Sequence, residues 1–208
     1  MTTSSDASRA RLRKVSFDEA VARGKATFAE WGKPLAPAQF LERERRLLSV
    51  PWARKAVSTW FLEDESGDCL SSCETFRTES RFDGKPGVSH GIASVFTESA
   101  LRGRGHAARL LELVHEKLLE PSCQAIYLFS DIDPAYYERL GFRARPAMDR
   151  VYAPEAGDPF ERAQAAAIES FLGLDWSSLR GDSRFLVMPA DGYLDWQLER
   201  ERAYASLL

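Results

Sequence analysis

The run Arg102-Gly103-Arg104-Gly105-His106-Ala107 has the residue types of a phosphate cradle. Glycines at 103 and 105 permit positive φ and let a ligand approach the backbone. Ala107 is small enough to leave that gap open. From Ala107 onward, apolar residues fall at Leu110, Leu111, Val114 and Leu118, the spacing of a helix with one buried face. The first amides of such a helix lack intrahelical partners, and its dipole is positive at that end. Together these features suit a phosphate or pyrophosphate. Arg102 and Arg104 add charge outside the cradle, and His106 offers its backbone.

Other phosphate-binding patterns fit less well. A Walker loop requires Gly-Lys-Ser/Thr at its end, and none follows Gly105. Gly103, Gly105 and Ala108 satisfy the spacing of a dinucleotide fingerprint. That motif also requires an acidic residue about twenty positions on, after a second strand. Here the helix is still running at Glu120, and no acidic residue closes the stretch Gln124–Ser130 at that distance. An RG-type RNA-binding tract is disfavoured because the arginines open an amphipathic helix.

The elements around the cradle narrow the choice. Gly91–Thr97, with Ile92, Val95 and Phe96, reads as a strand entering it. Pro121 stops the helix. Gln124–Ser130 reads as the next strand, followed by Pro134-Ala135-Tyr136-Tyr137-Glu138-Arg139-Leu140-Gly141-Phe142. The form Arg102-x-x-Gly105-x-Ala107, with Tyr137-x-x-x-Gly141-Phe142 downstream, resembles the GNAT superfamily of N-acetyltransferases. The resemblance implies acetyl-coenzyme A as co-substrate, with its pyrophosphate on residues 102–107. It implies an α/β (α+β) GNAT fold whose central mixed, mostly antiparallel sheet splays between its fourth and fifth strands, flanked by helices on both faces. The pantetheine arm would lie in the splay and pair with backbone at Val95, Phe96 and Thr97.

The whole chain sets bounds. Its 208 residues suit one domain with an appendage, and 44% hydrophobic residues suffice for a core. A net charge of −3 gives no bias toward nucleic acid. No apolar window is long enough to span a membrane, and residues 1–14 lack an apolar signal core. Cys69, Cys73 and Cys123 have neither metal spacing nor a disulfide framework. The expectation is a cytoplasmic, reduced protein without a metal, with a homodimer as one allowed state.

Along the chain, residues 1–9 read as a tail and Arg11–Ser16 as an opening strand. Ser16 caps a helix with Glu19 at capping-box distance, and Gly32 ends it. Ala36–Val50 reads as a second helix, whose apolar stripe is interrupted by Glu44. Val57–Leu62 and Cys69–Phe76 form a hairpin across Asp64-Glu65-Ser66-Gly67-Asp68. Asp83–Gly87 makes a further turn. A strand near Met148–Tyr152 closes the acetyltransferase domain, expected over residues 10–154. Residues 155–208 read as an appendage or truncated second domain, with a helix at Glu161–Leu172, a strand at Arg184–Met188 and a helix at Asp191–Leu207.

The resemblance also assigns roles. Tyr137 stands at the tyrosine position that protonates the departing sulfur, and Ser130 stands where many relatives have asparagine. A lysine-type ammonium has a pKa of about 10.4, so an amine acceptor needs a proton acceptor. Glu74, mid-strand among small and apolar residues, is the candidate base or cation anchor. The alternative is a structural carboxylate paired with an arginine such as Arg77. Asp131 and Asp133 are second candidates for the base, and Asp133 reads rather as the cap of the helix starting at Pro134. Cys73 would permit an acetyl-cysteine route but reads as a small buried residue. Over Glu42–Phe142, the segments Ser71–Phe76, Ser94–Thr97 and Ser130–Ile132 resemble fungal lysine N6-acetyltransferases acting on the free amino acid. The expected activity is therefore direct acetyl transfer to a small primary amine, free lysine or a lysine-like compound first. Two rivals stay open: a silent coenzyme A-binding sensor or interaction module, and a protein-lysine or N-terminal acetyltransferase.

Overall fold

A computed structural model describes residues 9–130, 132–145 and 184–207 of the protein. The expected elements at Met148–Tyr152 and Glu161–Leu172 lie outside the described residues, as do Asp131 and the tail apart from Arg9. Strand β1 (Arg11–Lys14) leads into helix α1 (Phe17–Trp31). Ser16 and Glu19 cap that helix reciprocally, each side chain accepting the other's backbone N–H. Helix α2 (Pro37–Ser49) follows, close to the expected Ala36–Val50, then a short α3 (Pro51–Ala56) in a stretch that carried no expectation. Pro51 explains the break, because it opens a new helix without needing an N–H partner.

Strands β2 (Val57–Glu63) and β3 (Cys69–Phe82) form the expected hairpin. The Asp64 carboxylate holds its turn by accepting from the N–H groups of Ser66 and Asp68, both at 2.9 Å. β3 and β4 (Lys85–Phe96) pair antiparallel along a long ladder. A 3₁₀ turn at Ser99–Leu101 and the glycine loop lead into α4 (His106–Leu118). The chain returns through β5 (Cys123–Leu128), parallel to β4, and a short α5 (Pro134–Glu138) capped by Asp133. The six-stranded sheet runs β1-β2-β3-β4-β5, with β6 (Phe185–Val187) added to the far end of β3. Helix α6 (Tyr193–Leu207) ends the described chain.

Alternation along each strand sends side chains to opposite faces. One face carries Leu62, Cys73 and Ile92, which pack beneath Leu110, Leu111, Val114 and Leu118 of α4. These α4 residues are those the 3.6-residue period had marked. The opposite face meets α1, α2, α3 and α6. There Trp196 of α6 packs on Trp52 and Phe76, at centroid distances of 5.2 and 5.4 Å. The described C-terminal residues are tied to the sheet and helices by polar contacts too. Arg184 forks onto Asp83 with two 2.7 Å bonds, and Arg46 pairs with Glu199 at 2.6 Å.

The decisive irregularity is in β4. Glu74 sits opposite Ala93, and Ser72 opposite Phe96, so β4 spends one residue more than β3. This is a β-bulge, and Ser94 takes a positive φ of 51° there. Pairing of β4 with β5 stops at Ile92 opposite Leu128, while β4 runs on to Phe96. The two strands therefore part at the bulge, where the expected splay lies.

Arg23 of α1 holds that departure in place. It is 7% exposed. It donates to Ser72 Oγ at 2.7 Å and to the carbonyl of Ser94, and lies 3.6 Å from Glu74. Ser94 Oγ donates to Glu74 Oε2 at 2.9 Å. Replacing Arg23 by Met strands a largely buried carboxylate, a loss of about 3 kcal/mol. We expect R23M to lower stability by that amount in urea unfolding and R23M/E74Q to recover part of it. Equal stability of R23M and wild type would show that the ion pair does not secure the bulge.

Candidate active site

A cleft of about 1050 Å³ opens where β4 and β5 part. At one end its lining is the glycine loop and the start of α4. Gly103 and Gly105 adopt φ of 77° and 83°. A Cβ built on either would meet nothing within 4 Å, so the space beside them is open. Gly105 is the residue that precedes α4, and the first intrahelical bond there runs from Arg109 N–H to its carbonyl. The N–H groups of His106, Ala107 and Ala108 precede that first bond. His106 is buried, and its Nδ1 has no hydrogen-bond partner among the described residues. An open glycine cradle, free helix amides and an orphaned ring nitrogen fit an anionic pyrophosphate.

The arginines of the loop divide. Arg102 lines the cleft, donating to the Thr97 carbonyl at 2.9 Å and pairing with Glu30 of α1. It thereby closes the loop onto the end of β4. Arg104 is exposed and does not line the cleft. Val95, Phe96 and Thr97, beyond the last pairing with β5, form the adjoining wall. Ser71 secures this wall from β3, its hydroxyl bonding the Phe96 carbonyl and Thr97 Oγ1, both at 2.9 Å. Ser130 reaches the cleft from the loop after β5, where its Oγ accepts from Ile132 N–H at 3.0 Å.

Tyr137 lines the cleft from the short helix α5. It is 8% exposed, packed edge-on against Tyr136 and Phe142 at 5.1 and 5.9 Å. Asp133 starts its helix and Gly141, at φ 88°, turns the chain back. Tyr136 also lines the cleft, and burial raises its phenol above the ordinary value.

The other end is the work of α2, β3 and α6. Glu74 faces it, but its partner is Arg23 and not Arg77, which pairs with Glu120 on the opposite side of the sheet edge. Glu44 and Arg43 of α2 line the same end, together with Trp196, Arg200 and Tyr204 of α6. The sequence reading had noted Glu44 only as a break in an apolar stripe. That break was the available signal, since a carboxylate on a buried face needs a reason. Burial, reinforced by the negative charge of Glu74, pushes the Glu44 carboxyl up to about 7, with Arg43 and Arg23 opposing. Arg23 was missed, although it follows Ala20 by one helical turn on the buried face of α1. Cys73 lies under α4 in the core, and burial pushes its thiol up to about 12, which removes it as a nucleophile.

The sequence profile of the acetyltransferase (GNAT) domain matches residues 12–145, well over half of the chain. The chain belongs to the GNAT acetyltransferase family. Solved structures agree in fold. A Trypanosoma brucei acetyltransferase is 19% identical with a TM-score of 0.52, spanning 69% of this chain and 99% of its own. A glucosamine-6-phosphate N-acetyltransferase from Arabidopsis thaliana is 15% identical with a TM-score of 0.51, spanning 69% and 97%. A GNAT acetyltransferase from Staphylococcus aureus is 16% identical with a TM-score of 0.52, spanning 70% and 99%. None of the curated proteins matches the chain, and the narrower likeness to fungal lysine acetyltransferases gains no support from the family match.

GNAT acetyltransferases use acetyl-coenzyme A, and the cradle of this GNAT domain can be tested directly. A side chain at 105 would both occupy the open space and force a left-handed conformation, the latter costing roughly 1–2 kcal/mol. We expect Gly105→Ala to weaken coenzyme A binding at least tenfold in calorimetry. Unchanged affinity would place the pyrophosphate elsewhere.

Proposed function

We propose that this protein transfers the acetyl group of acetyl-coenzyme A to a primary amine of a small, cationic molecule, by direct attack in a ternary complex. The observation behind this reading is the single cleft that joins the glycine cradle, Tyr137 and two carboxylates. When bound, acetyl-coenzyme A supplies an activated thioester carbonyl. Residues 102–107 and the backbone of Val95–Thr97 would hold it, with Ser130 beside them. Tyr137 would give its phenolic proton to the departing sulfur. Glu74, fixed by Arg23 and Ser94, would face the ammonium group of the acceptor.

A small acceptor is favoured by the walls of the far end. Phe40 and Leu47 of α2 and Trp196 and Tyr204 of α6 bring apolar and aromatic surface to a site that also carries charge. An alkyl chain ending in an ammonium suits that combination, with aromatic faces available to the cation. Free lysine and lysine-like compounds come first, on the sequence resemblance alone.

The test is thiol release from acetyl-coenzyme A against a panel of primary amines that includes free lysine. Turnover with ω-amino compounds, and none with analogues bearing only an α-amine, is the expected result. Coenzyme A binding without turnover on any amine would replace this reading with a silent binding module. Acetylation of peptides alone would favour a protein substrate. Replacing Tyr137 by Phe removes the proton donor and keeps the packing. Y137F should lower kcat about 100-fold or more with coenzyme A affinity unchanged, and full activity would remove the tyrosine from the chemistry.

A further inference from the structure

The cleft presents two carboxylates to the acceptor, and their surroundings differ. Both oxygens of Glu74 are engaged, Oε1 facing Arg23 at 3.6 Å and Oε2 accepting from Ser94 at 2.9 Å. Glu44 is contacted by Arg43 through Oε1, and it too lines the cleft. The Glu44 stem is seated by a close approach of α1 and α2. A Cβ at Gly24 would come within 2.8 Å of Leu41 and 3.4 Å of Glu44 Cγ, so glycine there lets α2 settle and aims Glu44 inward.

The charges around Glu44 come from every neighbouring element. Arg43 is its neighbour on α2, with its guanidinium 4.7 Å from the Tyr204 ring of α6. Arg23 approaches from α1 and Glu74 from β3. Arg200 of α6 lines the same end of the cleft. Arg23, Arg43 and Arg200 thus set three guanidiniums beside the two carboxyl groups. Burial and the Glu74 charge both disfavour the ionised form of Glu44 and raise its carboxyl. A group poised near neutral pH can take up and release a proton in each cycle.

We infer that Glu44 is the proton acceptor for the incoming amine, and that Glu74 is the fixed charge that orients it. This rests on the acetyl-transfer reading above. Glu44 takes one proton from the ammonium, leaving the nitrogen lone pair free to form the bond to the acyl carbon as the carbon–sulfur bond breaks. Two protons leave that nitrogen in all. Glu44 passes the first to solvent after turnover. The second leaves through solvent and replaces the proton that Tyr137 gives to sulfur.

The sign of the pH dependence follows. Glu44 accepts a proton only when ionised, so kcat/KM for the amine should climb with pH through neutrality and then level. Glu44→Gln should remove that limb and lower kcat about 100- to 10,000-fold, with coenzyme A affinity within twofold of wild type. Glu74→Gln removes the like charge, so it should move the limb to lower pH and raise KM for the amine. Because the Glu44 carboxyl is raised on folding, its ionisation opposes folding as pH rises through neutrality. E44Q should therefore be at least as stable as wild type at pH 8, which keeps the variant interpretable. An E44Q enzyme that retains both limb and kcat overturns the inference. A second readout does not need turnover. Carbon-13 spectra of glutamate-labelled protein, with coenzyme A bound, should contain one carboxyl titrating near neutrality that is absent from E44Q. If wild type acetylates no amine, the acetyl-transfer reading fails. That titration then still decides: a midpoint near neutrality supports Glu44 as the proton-accepting group of the cleft, and one in the ordinary carboxylate range overturns it.

Discussion

One buried guanidinium ties a helix to two strands at the point where their ladder bulges. Arg23 reaches from α1 to Ser72 and Glu74 on β3 and to the Ser94 carbonyl in the β4 bulge. A buried arginine is costly unless its donors are used. Here they are spent on the bulge between β3 and β4. The bulge is what ends the β4–β5 ladder at Ile92, and the parted strands are what make the cleft. Glu74, Ser94 and Arg23 thus serve the architecture and the site together. The Glu74 carboxylate that faces the cleft is held by the same ion pair that holds the strand opening the pocket.

The site is correspondingly divided by physical task. The cradle end relies on backbone: glycines in the left-handed region, early amides of α4, and the wall at Val95–Thr97. Backbone donors are oriented by the fold and need no reorganisation when an anion arrives. The acceptor end relies on side chains from α2, β3 and α6, which come from sequence positions over 150 residues apart. Tyr137 lines the cleft from a short helix fixed by Asp133 before it and Gly141 after it. Family membership follows from the first end. For the second, GNAT neighbours of under 20% identity offer no guide.

Local chemistry was readable wherever it acts within a few residues. The Ser16–Glu19 box, the Asp64 turn, the period of α4 and the Asp133 cap were each set by neighbours in sequence, and each is present. The second helix was expected to end at Val50, and it does so within a residue, but the short α3 that Pro51 opens carries too few residues to show a period. β3 ran six residues beyond its expected end, because its ladder with β4 and β6 supplies partners that no local pattern displays. The pairing of Glu74 also could not be chosen from sequence. Arg77 is nearer along the chain, yet odd separation on a strand puts it on the opposite face from Glu74. The partner came from a helix 51 residues upstream.

The sequence by itself determined the cradle, the order of elements around it and hence the family, because these depend on glycine conformation, helix period and turn residues that act locally. The tertiary structure alone decided the acceptor end. It brought Glu44 beside Glu74, set Arg23 beneath them and laid α6 along the cleft. The physical reason is that proton affinity is a property of surroundings. Burial and a neighbouring charge raise the Glu44 carboxyl, and neither quantity exists until the chain has folded.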